Sequence, residues 1–185
     1  MPAQTELSAT VADVLAFWRE AGPGRWFRKD EAFDTEFRTR FIGAHEAALR
    51  GDFDAWAREA QGALALVVLL DQFPRNAFRG TPRMFASDAR ARDIARQALD
   101  TGLDAQVEPD LRNFFYLPFT HSEQLADQDL GVAFARKLGR EALRYANVHR
   151  DIIVRFGRFP HRNAVLGRAT TPEEQRFLDE GGFGG

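Results

Sequence analysis

The 185 residues are enough for one domain with a substantial hydrophobic core, and 44% of them are apolar, including 17 Phe. The formal net charge of −2 gives no support to a globally basic face that would bind nucleic acid. The absence of Cys excludes disulfides, thiol nucleophiles and zinc sites made of thiolates.

The sequence carries no recognisable targeting or membrane signal. Residues 1–6 lack the basic stretch and following apolar run of a signal peptide. The longest apolar run, residues 63–70, is far shorter than the roughly 20 residues that span a bilayer. We therefore expect a soluble, cytoplasmic protein that contacts no membrane. The glycine-rich end at 182–185 is expected to fray, as a truncated terminus would.

The first half of the chain predicts three helices, because its apolar residues recur every three or four positions. Gly-Pro-Gly at 22–24 breaks the first, and Trp26 and Phe27 are then expected to anchor a loop in the core. The second helix ends at Gly51, and the third is apolar all round in its second half, which indicates complete burial. The apolar residues of the three patterns are Val14, Leu15 and Trp18; Phe33, Phe37 and Phe41; and Trp56, Ala63, Val67 and Leu70.

Prolines, serines and glycines divide the remainder of the chain. Pro74 should end the third helix and Pro118 should cut a short later one, because proline has no N–H to continue a helix. Ser87 and Ser122 are suitable N-caps for two further helices, and Gly157 is a suitable stop for a long one.

A capping box at 171–174, with proline at the first helical position, opens a last helix. No stretch of four or more residues alternates convincingly with the period of a strand. The sequence therefore predicts an all-α fold of about eight helices with short loops, and a single domain over residues 1–185.

One short phrase occurs twice in the chain. Phe-Pro-Arg-Asn-Ala at 73–77 recurs at 159–164 with a histidine inserted after the proline. Each copy follows an apolar helical pattern, so each proline is expected to stop a helix while Arg and Asn offer a guanidinium and an amide at the break. The two copies are either structural helix ends or opposite walls of one polar site.

The first candidate cluster surrounds the first copy of the phrase. Asp71 ends the most buried helix, where an unpaired carboxylate would be very costly. Arg75 and Asn76 follow across the proline and either face a ligand or satisfy free carbonyls at the helix end.

The second candidate cluster is His121 and Glu123, on either side of the expected cap at Ser122. Helix N-termini attract anions, and histidine exchanges protons near neutral pH. The alternative is a capping cluster in which the histidine is only packed.

The third candidate cluster joins Arg158, His161, Arg162 and Asn163 around the second copy of the phrase. Like charges so close together repel, and an anion or carboxylate between them would relieve the repulsion. His149 precedes this cluster and is expected to point inward as a core residue.

None of the stronger catalytic or metal-binding signatures occurs in the sequence. It contains no H-E-x-x-H, no phosphate-binding glycine loop, no dinucleotide-binding fingerprint and no G-x-S-x-G elbow. His121, Glu123, Asp71 and His149 lack the spacing of a metal site, so we expect neither a metal nor another cofactor.

The ordered motifs of this chain resemble those of the bacterial domain-of-unknown-function 924 family over roughly residues 11–180. The motifs are Leu-Ala-Phe-Trp at 15–18, Trp-Phe at 26–27, Leu-Asp-Gln-Phe-Pro-Arg-Asn at 70–76, Phe-Phe-Tyr-Leu-Pro-Phe at 114–119, His-Ser-Glu at 121–123, His-Arg at 149–150, Phe-Gly-Arg-Phe-Pro-His-Arg-Asn at 156–163 and Leu-Gly-Arg at 166–168. The resemblance implies a tetratricopeptide-repeat-like helical fold and no established activity. The chain itself lacks the usual 34-residue signature of such repeats.

Two functions fit these observations. In the first, the three clusters converge on a pocket for a small anion that bears a phosphate or carboxylate. The arginines and asparagines would bind this anion, and His121 or His161 would act as acid or base, oriented by Asp71 or Glu123. A metal-independent hydrolase is the most concrete form of this hypothesis.

In the second, the same residues are helix caps, and a helical-repeat-like module binds a protein or peptide partner without catalysis. The sequence decides neither between these functions nor on the oligomeric state. Geometry separates them: the pocket hypothesis fails if the head groups of Arg75 and Arg162 lie more than about 12 Å apart, or if a buried carboxylate neutralises each.

Overall fold

The computed structural model describes residues 9–184; the N-terminal residues considered for a signal peptide, and Gly185, lie outside them. Within the described range all regular structure is helical, with eight helices of seven or more residues, so the all-α prediction is confirmed. The helices are α1 (Val11–Ala21), α2 (Pro23–Trp26), α3 (Glu31–Arg50), α4 (Ala60–Val67), α5 (Phe73–Ala77), α6 (Asp88–Asp100), α7 (Asn113–Thr120), α8 (Leu125–Leu138), α9 (Arg140–Phe156) and α10 (Pro172–Asp179). A π-helical turn, Val68–Gln72, joins α4 to α5 without a break. None of the helices in this range has the length and apolar character needed to cross a membrane.

The centre of the core is α4, which is buried on every side as predicted. All of its residues except Gln61 are buried. A side chain at Gly62 would put its Cβ 2.2 Å from the carbonyl oxygen of Trp56, so glycine is what lets the preceding 3₁₀ turn lie against this helix.

Aromatic side chains of α1, α3 and α7 complete the core. The ring of Phe17 stacks on that of Phe37 at 5.0 Å, and Trp18 meets Phe114 edge to face at 5.2 Å. Trp26 is buried in α2, so the loop predicted for it is helical, and its indole N–H donates to the Trp18 carbonyl at 2.7 Å. The prediction that Phe27 anchors the core is wrong, because 64% of this residue is exposed.

Local capping signals place several helix ends as predicted. Gly51 and Gly157 end α3 and α9 in the left-handed conformation, and the capping box formed by Thr171 and Glu174 opens α10. Ser122 does not cap α8, which begins three residues later. Its hydroxyl instead donates to Asp127 at 2.7 Å.

Pro74 does not end a helix, contrary to the prediction. The π-helical turn precedes it, and the carbonyl of Leu70, four residues earlier, accepts a 2.6 Å hydrogen bond from the Ser87 hydroxyl in place of the missing N–H. The ring of His45 likewise donates from Nδ1 to the Leu69 carbonyl at 2.8 Å. Ser87 therefore stands at the start of α6 but uses its side chain to satisfy a carbonyl of the π-helical turn.

Pro118 is also tolerated inside a helix. α7 continues to Thr120. Helical hydrogen bonding resumes after the proline, with the His121 N–H donating to the Leu117 carbonyl at 2.9 Å. One missing donor therefore costs α7 a single hydrogen bond and leaves the rest of the helix intact.

The glycine-rich end does not fray at Phe183. The ring of this residue packs 4.4 Å from that of His149 and 5.2 Å from that of His161. The prediction failed because a single aromatic side chain fixes an otherwise unstructured segment by contacts with distant residues.

Candidate functional site

The π-helical turn brings Asp71 into contact with three side chains. This carboxylate is fully buried; it accepts hydrogen bonds from Gln72 Nε2 at 2.6 Å and from His121 Nδ1 at 2.8 Å, and it lies 3.2 Å from Arg75 Nη1. Burial disfavours the ionised carboxylate, but Arg75 and His121 outweigh this penalty and lower the pKa of Asp71. Asp71 therefore stays ionised behind His121.

Arg75 is held by two carboxylates and a carbonyl. Its Nη1 donates to the Asp71 carbonyl at 2.8 Å, and its two terminal nitrogens donate to Asp88 at 2.8 and 3.0 Å in a bidentate pair. The two carboxylates raise the pKa of Arg75 against the effect of burial. Asp88 was not among the predicted site residues, and its only signal in the sequence is its position directly after the expected cap at Ser87.

Arg162 is buried with far less compensation. Its Cζ lies 4.5 Å from the ring centres of both Phe85 and Phe159. One terminal nitrogen donates to the His121 carbonyl at 2.9 Å, and the other lies 3.8 Å from Asp88 Oδ2. Its buried Nε has no hydrogen-bond partner among residues 9–184. Burial, and then repulsion from Arg75, lower the pKa of Arg162 to about 10.

The two arginines meet the geometric criterion set from the sequence. Both reach the same oxygen of Asp88, at 3.0 Å from Arg75 and 3.8 Å from Arg162, so these nitrogens are less than about 7 Å apart. Arg75 has close contacts with two carboxylates, whereas Arg162 has one longer contact, to Asp88, and an Nε without a partner among the described residues. Of the two arginines, Arg162 is therefore the one with a donor left for a further anion.

Three histidine rings surround the same space. Burial lowers the pKa of all three: to about 4 for His149 and His161, and below the ordinary value for His121, where Arg75 adds to the effect. His121 is therefore neutral at pH 7 and donates its Nδ1 proton to Asp71, which leaves Nε2 as a proton acceptor. His149 donates from Nδ1 to the Tyr145 carbonyl at 2.9 Å.

These arginines and histidines line a cavity of about 170 Å³, which we call the histidine cavity. Its lining contains four Arg and three His and, within the part of the chain that the structure describes, no carboxylate. The lining residues are Trp26, Phe27, Arg28, Gln72, Arg75, Asn76, Arg79, Met84, Phe85, Leu117, His121, Tyr145, His149, His161, Arg162 and Phe183. The sequence placed His149 in the core, and it is buried, but it also faces this cavity.

Glu123 belongs to a second polar network rather than to the cavity lining. It accepts a bidentate pair from Arg168 at 2.8 and 3.0 Å and the Phe159 backbone N–H at 2.8 Å. Glu123 therefore has its hydrogen-bond donors in Arg168 and the Phe159 backbone, and it does not contact the ring of His121.

Arg158 and Asn163 belong to the same second network. Arg158 pairs with Glu174 at 2.6 and 2.8 Å, and Asn163 donates to Glu174 at 3.2 Å while accepting from Arg168 at 3.0 Å. Of the predicted residues, the structure brings together those of the first candidate cluster, the two predicted acid–base histidines His121 and His161, and Arg162. It separates Glu123, Arg158 and Asn163 from them.

No group of three potential metal ligands comes together anywhere in residues 9–184. A family model described as "Bacterial protein of unknown function (DUF924)" matches residues 14–182. The chain belongs to this family. The site described above thus lies within the DUF924 domain.

One solved structure shares the fold of this DUF924 domain. It is a protein of unknown function, ATU0120, from Agrobacterium tumefaciens, which is 52% identical in sequence. The TM-score is 0.90, and the match covers 92% of this chain and 97% of that one. No curated protein is detectably similar to the chain.

The arrangement in this DUF924 domain offers two chemical capabilities. A buried guanidinium with a free N–H can bind an oxygen of an anion. A neutral histidine, held by an ionised aspartate, can accept a proton.

Proposed function

We propose that this DUF924 protein binds a small organic anion, a carboxylate or a phosphate, in the histidine cavity. The observation that carries the proposal is Arg162, a buried cation whose Nε has no partner among the described residues and whose nearest carboxylate is 3.8 Å away. A buried guanidinium with one long ionic contact and an unpartnered N–H is costly, and a bound anion that accepts from this N–H would lower that cost.

The charges around the cavity support an anion rather than a cation. Asp71 and Asp88 lie behind the wall, where Arg75 contacts both at 2.8 to 3.2 Å and Arg162 lies 3.8 Å from Asp88, so the charges of these four groups cancel. Arg28 and Arg79 add positive charge to the lining. Arg79 is partly balanced by Asp34, at 3.1 Å.

The size of the cavity restricts what can bind in it. A volume of about 170 Å³ corresponds to roughly five to six water molecules at liquid density, which suits a carboxylate or phosphate group with a few attached atoms. The surrounding aromatic rings of Phe85, Tyr145 and Phe183 would exclude water from the bound group and strengthen its contact with Arg162.

The pair formed by Asp71 and His121 extends the proposal to metal-independent hydrolysis. His121 Nε2 would take a proton from a water molecule as the water oxygen bonds to the acyl or phosphoryl centre of a bound ester. Asp71 would stabilise the imidazolium, Arg162 the charge on the attacked group, and the imidazolium would return the proton to the leaving oxygen.

Binding is tested by thermal shift with acetate, butanoate, inorganic phosphate and simple phosphate esters. A ligand at 100 times its Kd should stabilise the native protein by about 2.7 kcal/mol. Arg162→Gln should abolish the shift while Arg155→Gln keeps it, because Arg155 is an exposed arginine of α9 that does not line the cavity. Equal shifts in both variants would refute the assignment of Arg162.

Hydrolysis is tested separately with p-nitrophenyl acetate and p-nitrophenyl phosphate. We expect His121→Gln to remove the activity and to retain anion binding, since glutamine preserves a donor toward Asp71 but has no basic nitrogen. Wild-type turnover that persists in His121→Gln would exclude this histidine as the base.

A further inference from the structure

A second cavity, of about 670 Å³, opens beside the histidine cavity. The two cavities share five lining residues, all of them apolar or aromatic: Trp26, Phe27, Leu117, Tyr145 and Phe183. The two cavities therefore lie side by side, and these five side chains border both of them. We call the larger space the tail cavity.

The tail cavity differs from its neighbour in charge and in side-chain size. Facing residues of α8 and α9 supply Ala135, Leu138, Ala142 and Ala146, and the small alanines leave the space open. None of the four arginines and three histidines of the histidine cavity borders it. The lining also contains Asn113, Tyr116 and Thr120, so it is the alanine-lined side between α8 and α9 that suits an apolar group.

Acidic residues stand on the rim of the tail cavity. Asp110 and Glu141 are exposed members of its lining, and Arg144 is the one basic residue among those described there. A second negative charge on a ligand would meet a net charge of −1 from these three residues, whereas an alkyl or aryl end would not be repelled.

Phe27 lies where the two cavities meet. This residue is 64% exposed, although its ring stacks on that of Phe114 at 6.0 Å. A large apolar side chain that borders both spaces and remains open to solvent gives an apolar ligand a surface to cover.

We propose that the ligand is a single-chain amphipathic anion, an alkyl or aryl carboxylate or phosphate monoester. Its charged group contacts Arg162 in the histidine cavity, and its apolar body passes Phe27 and Tyr145 to lie in the tail cavity. This inference rests on the proposed anion binding and adds to it the class of molecule that is bound.

The test is calorimetric titration of the wild-type protein with acetate, butanoate, hexanoate and octanoate, all as monomers in solution. Affinity should rise about two- to four-fold for each added methylene group, because each one is transferred from water to an apolar surface. Octanedioate, with a carboxylate at each end, should bind at least ten-fold more weakly than octanoate because its second carboxylate would lose water in a cavity whose described lining has two carboxylates and one arginine.

A filled tail cavity provides the second arm of the test. Ala142→Phe should lower octanoate affinity at least ten-fold and leave acetate affinity unchanged. Val154→Phe is the matched control, since Val154 lies on the same helix, is 56% exposed and borders neither cavity. The wild-type series needs no variant, so it decides the question even if Ala142→Phe does not fold.

The outcomes distinguish failure of this inference from failure of the anion binding on which it rests. If affinity depends on Arg162 but not on chain length, anion binding stands and the amphipathic ligand is refuted. If affinity rises with chain length and is the same in Arg162→Gln, the charged group does not use this arginine, and both proposals fall. Absence of binding along the whole series also refutes both.

Discussion

Acidification from pH 7.5 to pH 5.0 should destabilise the native protein strongly because its buried histidines cannot easily take up protons. The pKa of His149 and that of His161 are lowered from 6.5 to about 4 in the native state. The unfolded chain therefore binds more protons than the native state between these values, and stability rises with pH through this window.

The size of the effect follows from these pKa values. At pH 5.0 an unfolded histidine with a pKa of 6.5 is almost fully protonated, whereas a native one with a pKa of about 4 is mostly neutral. Each residue then contributes about 2 kcal/mol of destabilisation relative to pH 7.5, or about 4 kcal/mol for the pair. His45 and His121 act in the same direction, because burial lowers their pKa values as well.

Urea denaturation followed by far-ultraviolet circular dichroism at the two pH values measures this loss directly. In His149→Gln the difference between the two free energies of unfolding should shrink by about 2 kcal/mol, since one of the titrating groups is gone. A wild-type difference below about 1 kcal/mol would refute the assignment of buried neutral histidines. So would a His149→Gln protein that keeps the full difference.

Two further predictions concern the helices that position the site. Ser87→Ala should lower the free energy of unfolding by about 1–3 kcal/mol in urea denaturation, because the Leu70 carbonyl would lose its donor beside Pro74; an unchanged value would show that the π-helical turn does not need it. Gly62→Ala should destabilise by more than about 2 kcal/mol, since the new Cβ would lie 2.2 Å from a backbone oxygen. Gly43→Ala, in open space on α3, should instead stabilise by about 0.5–1 kcal/mol, and a similar response of both glycines would contradict the packing argument.

The sequence predicts well those helix features that depend on nearby residues. Gly51 and Gly157 adopt left-handed conformations that glycine favours, and Thr171 needs only the residues of its own first turn to cap α10. The effect of Pro74 is different. Whether Pro74 ends a helix depends on another donor for the Leu70 carbonyl. That donor is the hydroxyl of Ser87, which lies 13 residues after Pro74 in the chain.

The division of the polar residues between two networks likewise depends on contacts between residues that are far apart in the chain. Arg158 directly precedes the second copy of the phrase and Arg162 lies within it, yet Glu174 pairs with Arg158, while Arg162 keeps an Nε without a partner among the described residues. Glu123 meets Arg168, a contact that spans 45 positions. Proximity in sequence could gather these residues as candidates, but only the packing of α10 against the Pro160–Arg162 turn assigns each charge to its partner.

The π-helical turn also makes the cavity wall tolerant of one change in chain length. A π turn holds one more residue than the α-helical turn it replaces, and successive residues of an α-helix are separated by 100°. Loss of a single residue within α4 would therefore rotate the start of that helix by about 100° relative to Arg75 and Asn76. Loss of a single residue within Val68–Gln72 would instead convert the π turn into an α-helical turn and leave both side chains facing the cavity. For a homologue, a one-residue gap at this turn is thus compatible with the same cavity wall, whereas a one-residue gap within α4 is not.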